Sequence, residues 1–376
     1  MARKRVLVIG MLDSIHLARW LSQFTESDLR ILIFPSSHFK KVHAKLLQIQ
    51  GSKIRVFGFL PFGVLLGYFD SIFTLRFIDH KLGFKLRKIT LGLVIRLFRP
   101  ETIHAIEIQH AGYLVSDSKF VASRRILTNW GSDIYYFQQF PDHKYQIERA
   151  LHWASHYSAE CERDYDLARA FGFRGVELPR IPNAGGFQVS VEQLKCSQRN
   201  LILVKTYGGL FGAGETAIRA LSDFLSTCSN FKIHFYSVTP DLESHMIELQ
   251  DKFPDLVSFS TLTRSLTHEE LMKLFERARI YIGCSRSDGL STSFLQALCS
   301  GAYPIQTDTS CASELVDGGA SGSIIPLDEN SVLTTLLSVI HDHSLLDNAQ
   351  KINYEFSLNT LNSFAIRDRA LQFYLD

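Results

Sequence analysis

The sequence predicts an α/β protein made of two doubly wound domains in series. Three observations carry this. Short apolar runs alternate with helical periodicity from Arg5 to Ile106, and a second alternation starts at Asn200. A segment dense in Pro and Gly, Leu178–Gly186, stands between them. The 376 residues suit two domains, at roughly 150 residues each. Strands separated by helices favour a parallel sheet with helices on both faces.

Each element has a local reason. Arg5–Ile9 is an apolar strand, followed by a turn, Gly10–Ser14, that ends in two helix-capping residues. Ile15–Leu21 then carries apolar residues at helical spacing. Leu29–Phe34, Ile54–Phe57 and Thr102–Ile106 read as further strands. The middle, His143–Trp153 and Ala159–Ala170, reads as helical. Beyond the linker come strand Asn200–Val204, a glycine-rich loop and helix Glu215–Phe224. Strand Lys232–Tyr236, helix His268–Ala278, strand Ile280–Gly283, helix Thr292–Cys299 and strand Ala302–Gln306 continue the pattern. Helical segments near Ser331–Ile340 and Ser363–Leu375 close it. The expected divisions are 1–182, a linker at 183–199, 200–355, and a helix at 356–376 crossing back to the first domain.

Composition narrows the function. A hydrophobic share of 46% with 21% charged residues excludes wholesale disorder. The net charge of +2 hides a basic block: residues 37–99 hold twelve Lys and Arg against only Asp70 and Asp79. The six cysteines show no C-x-x-C spacing, so reduced thiols are expected rather than a disulfide framework or zinc site. The first apolar run, Val6–Ile9, is too short for a signal-peptide core, and a cytoplasmic location is expected. Phe59–Ile78 is strongly apolar, yet contains Pro61, Asp70 and Arg76, and reads as buried or interfacial rather than spanning.

Two loops offer anion-binding chemistry. Lys205 ends a strand and is followed by Gly208, Gly209, Gly212 and Gly214 before a helix. Such a loop lets backbone N–H groups approach a phosphate, with the positive helix end behind them. The second loop runs Cys284–Ser291 into a helix that starts with Ser291 and Thr292. Asp288 there is placed to accept bonds from sugar hydroxyls, and Gln296 follows one to two turns along the helix.

This segment resembles the donor-site motif of the retaining GT-B glycosyltransferases of family 4. That motif is a glutamate, seven residues, a second glutamate, a small-residue turn and an apolar strand. Here it reads Asp288 … Gln296, then Ala297–Asp308. Glu314–Val316 with Gly322–Ile325, the opening Ser14–Leu21, Asn129–Ile134 and Ile181–Gly186 resemble other segments of the family, in order along nearly the whole chain. The resemblance implies the GT-B fold, two Rossmann-like domains facing a central cleft. It also implies a nucleotide-sugar donor on the C-terminal domain, UDP-sugar ahead of GDP-sugar, and an acceptor on the N-terminal one.

By the same resemblance Lys205 meets the diphosphate, with Gly208, Gly209, Ser285, Gly289, Leu290, Ser291 and Thr292 around it. Asp288 takes donor-sugar hydroxyls, Gln296 the ribose, and Ser260–Arg264, with Thr263 and Arg264, the base. Lys205 and Asp288 are the expected catalytic pair. Gly10, Ser14, His16, His110, Trp130, Gly131 and Asp133 are expected on the N-terminal side of the cleft. No metal and no cofactor are implied. Retention implies front-face attack, with the leaving phosphate helping to take the acceptor proton. The chain departs from the pattern at both glutamates, at Trp130, where many members carry histidine, and in lacking a second basic residue after Lys205.

Smaller clusters read more blandly. Asp164-Tyr165-Asp166 is expected on a solvated helix face, and His341-Asp342-His343 in a polar connection. His104 is expected to be structural, and Asp133 either caps the next helix or faces the cleft. Lys81, Lys85, Lys88, Arg96 and Arg99 form one helical stripe, with apolar residues on the broad remainder. That pattern predicts docking on an anionic membrane surface through residues 37–99, peripheral on the inner face. Nucleic acid is not an expected partner, since no aromatics interleave with the bases. The expected function is transfer of a sugar from a nucleotide diphosphate sugar to a lipid-linked or surface-glycan acceptor. The alternatives are a non-catalytic scaffold or a nucleotide-sugar epimerase.

Overall fold

The computed structural model describes residues 4–37, 42–51, 53–56, 85–116, 122–189, 194–228 and 230–375. Phe59–Ile78 and Lys81 lie outside the described residues. The chain forms two compact units, one of Met1–Gly185 with Ile366–Asp376 and one of Gly186–Ala365.

The first unit holds β1 (Arg5–Gly10), α1 (Ile15–Ser22), β2 (Arg30–Pro35), α2 (Ala44–Gln48), β3 (Ile54–Val56) and α3 (Lys85–Phe98). It continues with β4 (Thr102–Ile106), α4 (Tyr113–Ser116), β5 (Arg124–Thr128), α5 (Pro141–Trp153), β6 (His156–Ser158), α6 (Glu162–Ala170) and β7 (Val176–Glu177). The sheet order is β3-β2-β1-β4-β5-β6-β7, with every described pairing parallel. Alternation along β1 sends Leu7 and Ile9 into one apolar layer and Val6 and Val8 into the other. All four are fully buried, worth about 1.5–3 kcal/mol each.

The two middle segments read as helical are helices, while β5 and β6, outside those segments, are strands the sequence reading did not name. Each is short, β5 opens with two arginines, and their extended form comes from pairing with β4 and with each other. α6 accordingly starts at Glu162, later than expected.

The second unit holds β8 (Leu201–Lys205), α7 (Gly214–Thr227), β9 (Lys232–Val238), α8 (Glu243–Lys252), β10 (Val257–Thr261), α9 (His268–Arg277) and β11 (Ala278–Gly283). α10 (Thr292–Cys299), β12 (Tyr303–Thr307), α11 (Ala312–Asp317), β13 (Ser323–Ile325), α12 (Glu329–Val339), α13 (His343–Thr360) and the start of α14 (Ser363–Leu375) follow. Its sheet order is β10-β9-β8-β11-β12-β13. α9 opens with a full capping box, the Thr267 hydroxyl accepting from Glu270 N while the Glu270 carboxylate accepts from Thr267 N. Both sheets are doubly wound, as the sequence predicts.

The tail belongs to the first unit. Ile366, Ala370, Phe373 and Tyr374 pack with Val6, Val8, Trp20 and Phe24. The Tyr374 hydroxyl accepts from Trp20 Nε1 at 3.0 Å and lies 2.6 Å from His104 Nδ1. His104 Nε2 is 2.6 Å from Thr128 Oγ1. Burial drives the His104 pKa down to about 3, so the ring is neutral and structural.

Two small clusters take definite roles. Asp164 is fully buried, accepting from Asn129 Nδ2 at 2.8 Å and paired with Arg163, which corrects the solvated-face reading; only Asp166 is exposed. Asp342 caps α13, accepting from Leu345 N at 2.9 Å. The reduced-thiol expectation holds for Cys196, Cys228, Cys284 and Cys299. Among the described residues no helix is long and apolar enough to cross a membrane.

Candidate active site

In each sheet the strand order reverses once, which sets apart one point at the carboxyl ends of the strands. Doubly wound sheets bind ligands there. In the second unit the point lies between β8 and β11.

Lys205 is the last residue of β8, and its Nζ stands 4.6 Å from the centre of the Tyr207 ring. Among the described residues no carboxylate pairs with it. The following loop is knitted to the one after β11. Gly212 bridges Ser285, Arg286 N donates to Phe211 O at 2.8 Å, and Ala213 N donates to Cys284 O at 3.3 Å. The Arg286 guanidinium bonds Gly212 O and the Glu215 carboxylate. The glycines are needed by this architecture. A Cβ on Gly212 would stand 2.0 Å from the backbone oxygen of Tyr207, and Gly209 has φ +70°. The Gly208 amide already donates to Thr239 Oγ1 at 2.9 Å, so it is spent inside the unit rather than left for a ligand.

The second loop is braced from beneath. Ser285 N donates to Thr307 Oγ1 at 3.1 Å, and the Thr309 hydroxyl donates to Ser285 O. Asp288 Oδ1 accepts from Gly289 N at 2.9 Å. α10 begins at Thr292 with Ser291 in the capping position, yet the Ser291 side chain does not cap it. The orphan donors and positive dipole of its first turn are thereby left to another acceptor. Leu290, Ser291 and Gln296 are buried. The Tyr236 and Tyr281 hydroxyls are buried nearby, and burial raises both phenol pKa values.

Thr263 and Arg264 stand apart from these loops. They follow β10, the edge strand, with β9 between it and β8. Both are exposed, in a turn where Thr261 Oγ1 accepts from Arg264 N at 3.0 Å.

In the first unit the corresponding point lies between β1 and β4. Gly10 ends β1, and Ser14 caps α1 by accepting from His16 N at 3.2 Å. The His16 ring stands edge-on to Trp130, centroids 5.6 Å apart. After β4 comes a residue the sequence reading passed over. Glu107 has φ +73°, a strained conformation for a residue with a Cβ. Its buried carboxylate accepts from Ala111 N at 2.6 Å and His110 N at 2.9 Å, and lies 3.1 Å from His110 Nδ1. That bond raises the His110 pKa. The only sequence signal was an acid at a strand end, three residues before a histidine.

Asp133 does not cap the helix that follows it; it accepts from Ile108 N at 2.8 Å and Trp130 N at 2.9 Å, tying the loops after β4 and β5. Burial, then the Glu107 charge, raise its pKa well above the carboxylate range. Gly131 O accepts from Arg163 Nη2 at 2.9 Å.

Residues 5–158 match the family described as glycosyl transferase 4-like. No curated protein matches the chain in sequence. Sucrose-phosphate synthase from Thermosynechococcus elongatus is similar in structure at TM-score 0.73 and 12% identity, covering 99% of this chain and 98% of the other. A glycosyltransferase from Rickettsia africae is similar at TM-score 0.67 and 11% identity, covering 100% and 98%.

The fold is that of the GT-B glycosyltransferases. HepE from Anabaena, solved with UDP-glucose, is similar at TM-score 0.69 and 12% identity, covering 98% of each chain. The resemblance read from the sequence is met by the glycosyl transferase 4-like match over residues 5–158 and by the GT-B fold of the whole chain.

Proposed function

We propose that this GT-B glycosyltransferase transfers a sugar, with retention, from a nucleotide diphosphate sugar to a lipid-linked or surface-glycan acceptor. One observation carries the donor assignment: a lysine that has no carboxylate partner among the described residues stands at the strand-order reversal of the second sheet, beside two knitted loops and a helix start that Ser291 does not cap. Such an arrangement stabilises a diphosphate as it leaves, which is the main electrostatic demand of the reaction. Lys205 supplies the full charge and the first turn of α10 the dipole. Asp288 holds the donor sugar, Gln296 the ribose, and Thr263 with Arg264 the base. The complexes of HepE with UDP and UDP-glucose support a UDP-sugar donor. No metal takes part in this reading. The acceptor binds the first unit between the loops after β1, β4 and β5, near His16, His110 and Trp130.

Calorimetry with UDP, GDP and ADP, followed by turnover assays on the matching nucleotide sugars, tests this. Binding of UDP with turnover of a UDP-sugar is expected. Nucleotide binding without turnover would favour the non-catalytic scaffold, and an altered donor released without acceptor would favour an epimerase.

A further inference from the structure

The first unit carries a surface that sugar transfer leaves unused. α3 buries Arg87, Leu91, Gly92, Val94 and Ile95. The buried Arg87 guanidinium donates to Ser36 O at 3.1 Å. The opposite side is also apolar. Leu86, Ile89, Leu93 and Leu97 are 39, 61, 56 and 82% exposed. At 3.6 residues per turn their spacing of three, four and four places them in one stripe. Lys85 and Arg96, both exposed, run along one margin, and exposed Arg99 follows the helix end. No acid occurs between Lys85 and Arg99. The sequence pattern put these aliphatic residues on the broad apolar remainder of the helix; the helix packs through Arg87, Leu91, Val94 and Ile95 and turns this stripe outward.

A row of aliphatic side chains facing water is unfavourable unless something covers it. The chemistry of this row selects its cover. It has an aliphatic centre, a cationic margin and no acid, which complements acyl chains lying beneath anionic headgroups. We propose that α3 is an interfacial helix that seats the first unit on an anionic lipid surface. Leu86, Ile89, Leu93 and Leu97 enter the acyl boundary, and Lys85, Arg96 and Arg99 lie among the headgroups. This assignment stands whether or not the transfer reading holds, and its test involves no nucleotide.

The test is co-sedimentation of the full-length protein with vesicles of phosphatidylcholine, alone or with about 30 mol% phosphatidylglycerol. Binding is expected to the anionic vesicles and to weaken as salt rises. The double substitution Leu93→Glu/Leu97→Glu, at exposed positions, should lower the partition coefficient ten-fold or more with an unchanged melting temperature. Lys85→Glu/Arg96→Glu should remove the preference for anionic vesicles. Absence of vesicle binding by the parent protein overturns the proposal, as does undiminished binding of the leucine variant. If that variant melts lower, another part of the chain covers the stripe; if it dissociates a dimer seen by sedimentation velocity, a second copy does. Either result also overturns it.

Discussion

Tyr374→Phe isolates the bond network that fastens the end of the chain into the first unit. Trp20 Nε1 only donates, so the Tyr374 oxygen accepts from it at 3.0 Å and gives its own proton to His104 Nδ1 at 2.6 Å. His104 Nε2–H is then the donor to Thr128 Oγ1. Removing the hydroxyl leaves the Trp20 N–H and His104 Nδ1 buried without partners. Each orphan costs about 1–3 kcal/mol, so the total is about 2–6 kcal/mol. For a unit of this size, at about 2–4 °C per kcal/mol, that lowers the melting temperature by about 4–24 °C. Scanning calorimetry reads it as a shift in the first unit's transition, with that of the second unit unmoved. A shift below about 1 °C would refute the network as a fastening, because two buried orphans cannot be that inexpensive.

Four other outcomes follow from the same structure. His104 has a folded pKa of about 3 against about 6.5 when unfolded, so the unfolded chain binds its proton first as pH falls. First-unit stability is therefore full above pH 6.5 and declines by up to about 1.4 kcal/mol per pH unit below it; His104→Gln should flatten that decline in acid melts. Lys205→Ala should lower turnover of the nucleotide sugar ten-fold or more, about 1.4 kcal/mol, and weaken nucleoside diphosphate binding by calorimetry. Unaltered kinetics would remove Lys205 from the site. Asp288→Asn should shift selectivity among sugars of one nucleotide while leaving the affinity for that nucleotide unchanged. Because the hydrogen bond from Glu107 raises the His110 pKa, Glu107→Gln should lower it, as followed by NMR titration of the imidazole. A carboxamide in that place keeps an acceptor for the Ala111 amide but loses the charge that favours imidazolium.

The sequence by itself determined the two doubly wound sheets, because apolar runs such as Val6–Ile9 and Ile280–Gly283 and cap residues such as Ser14 are local signals. It also placed Lys205 and Asp288 beside strand ends, since a strand–loop–helix transition is written in adjacent residues. Only tertiary structure decided the rest. β5 and β6 are too short to show a period, and their neighbours hold them extended. Glu107 looked like any acid until the fold forced its backbone to φ +73° and buried its carboxylate against the amides of His110 and Ala111. Asp164 sits on a polar helix, yet Asn129 and Arg163 draw it inside. On α3 the apolar residues cover nearly the whole circumference, so periodicity alone cannot say which arc packs. The burial of Arg87, Leu91 and Val94 settles that choice, because a helix can press only one side against a sheet.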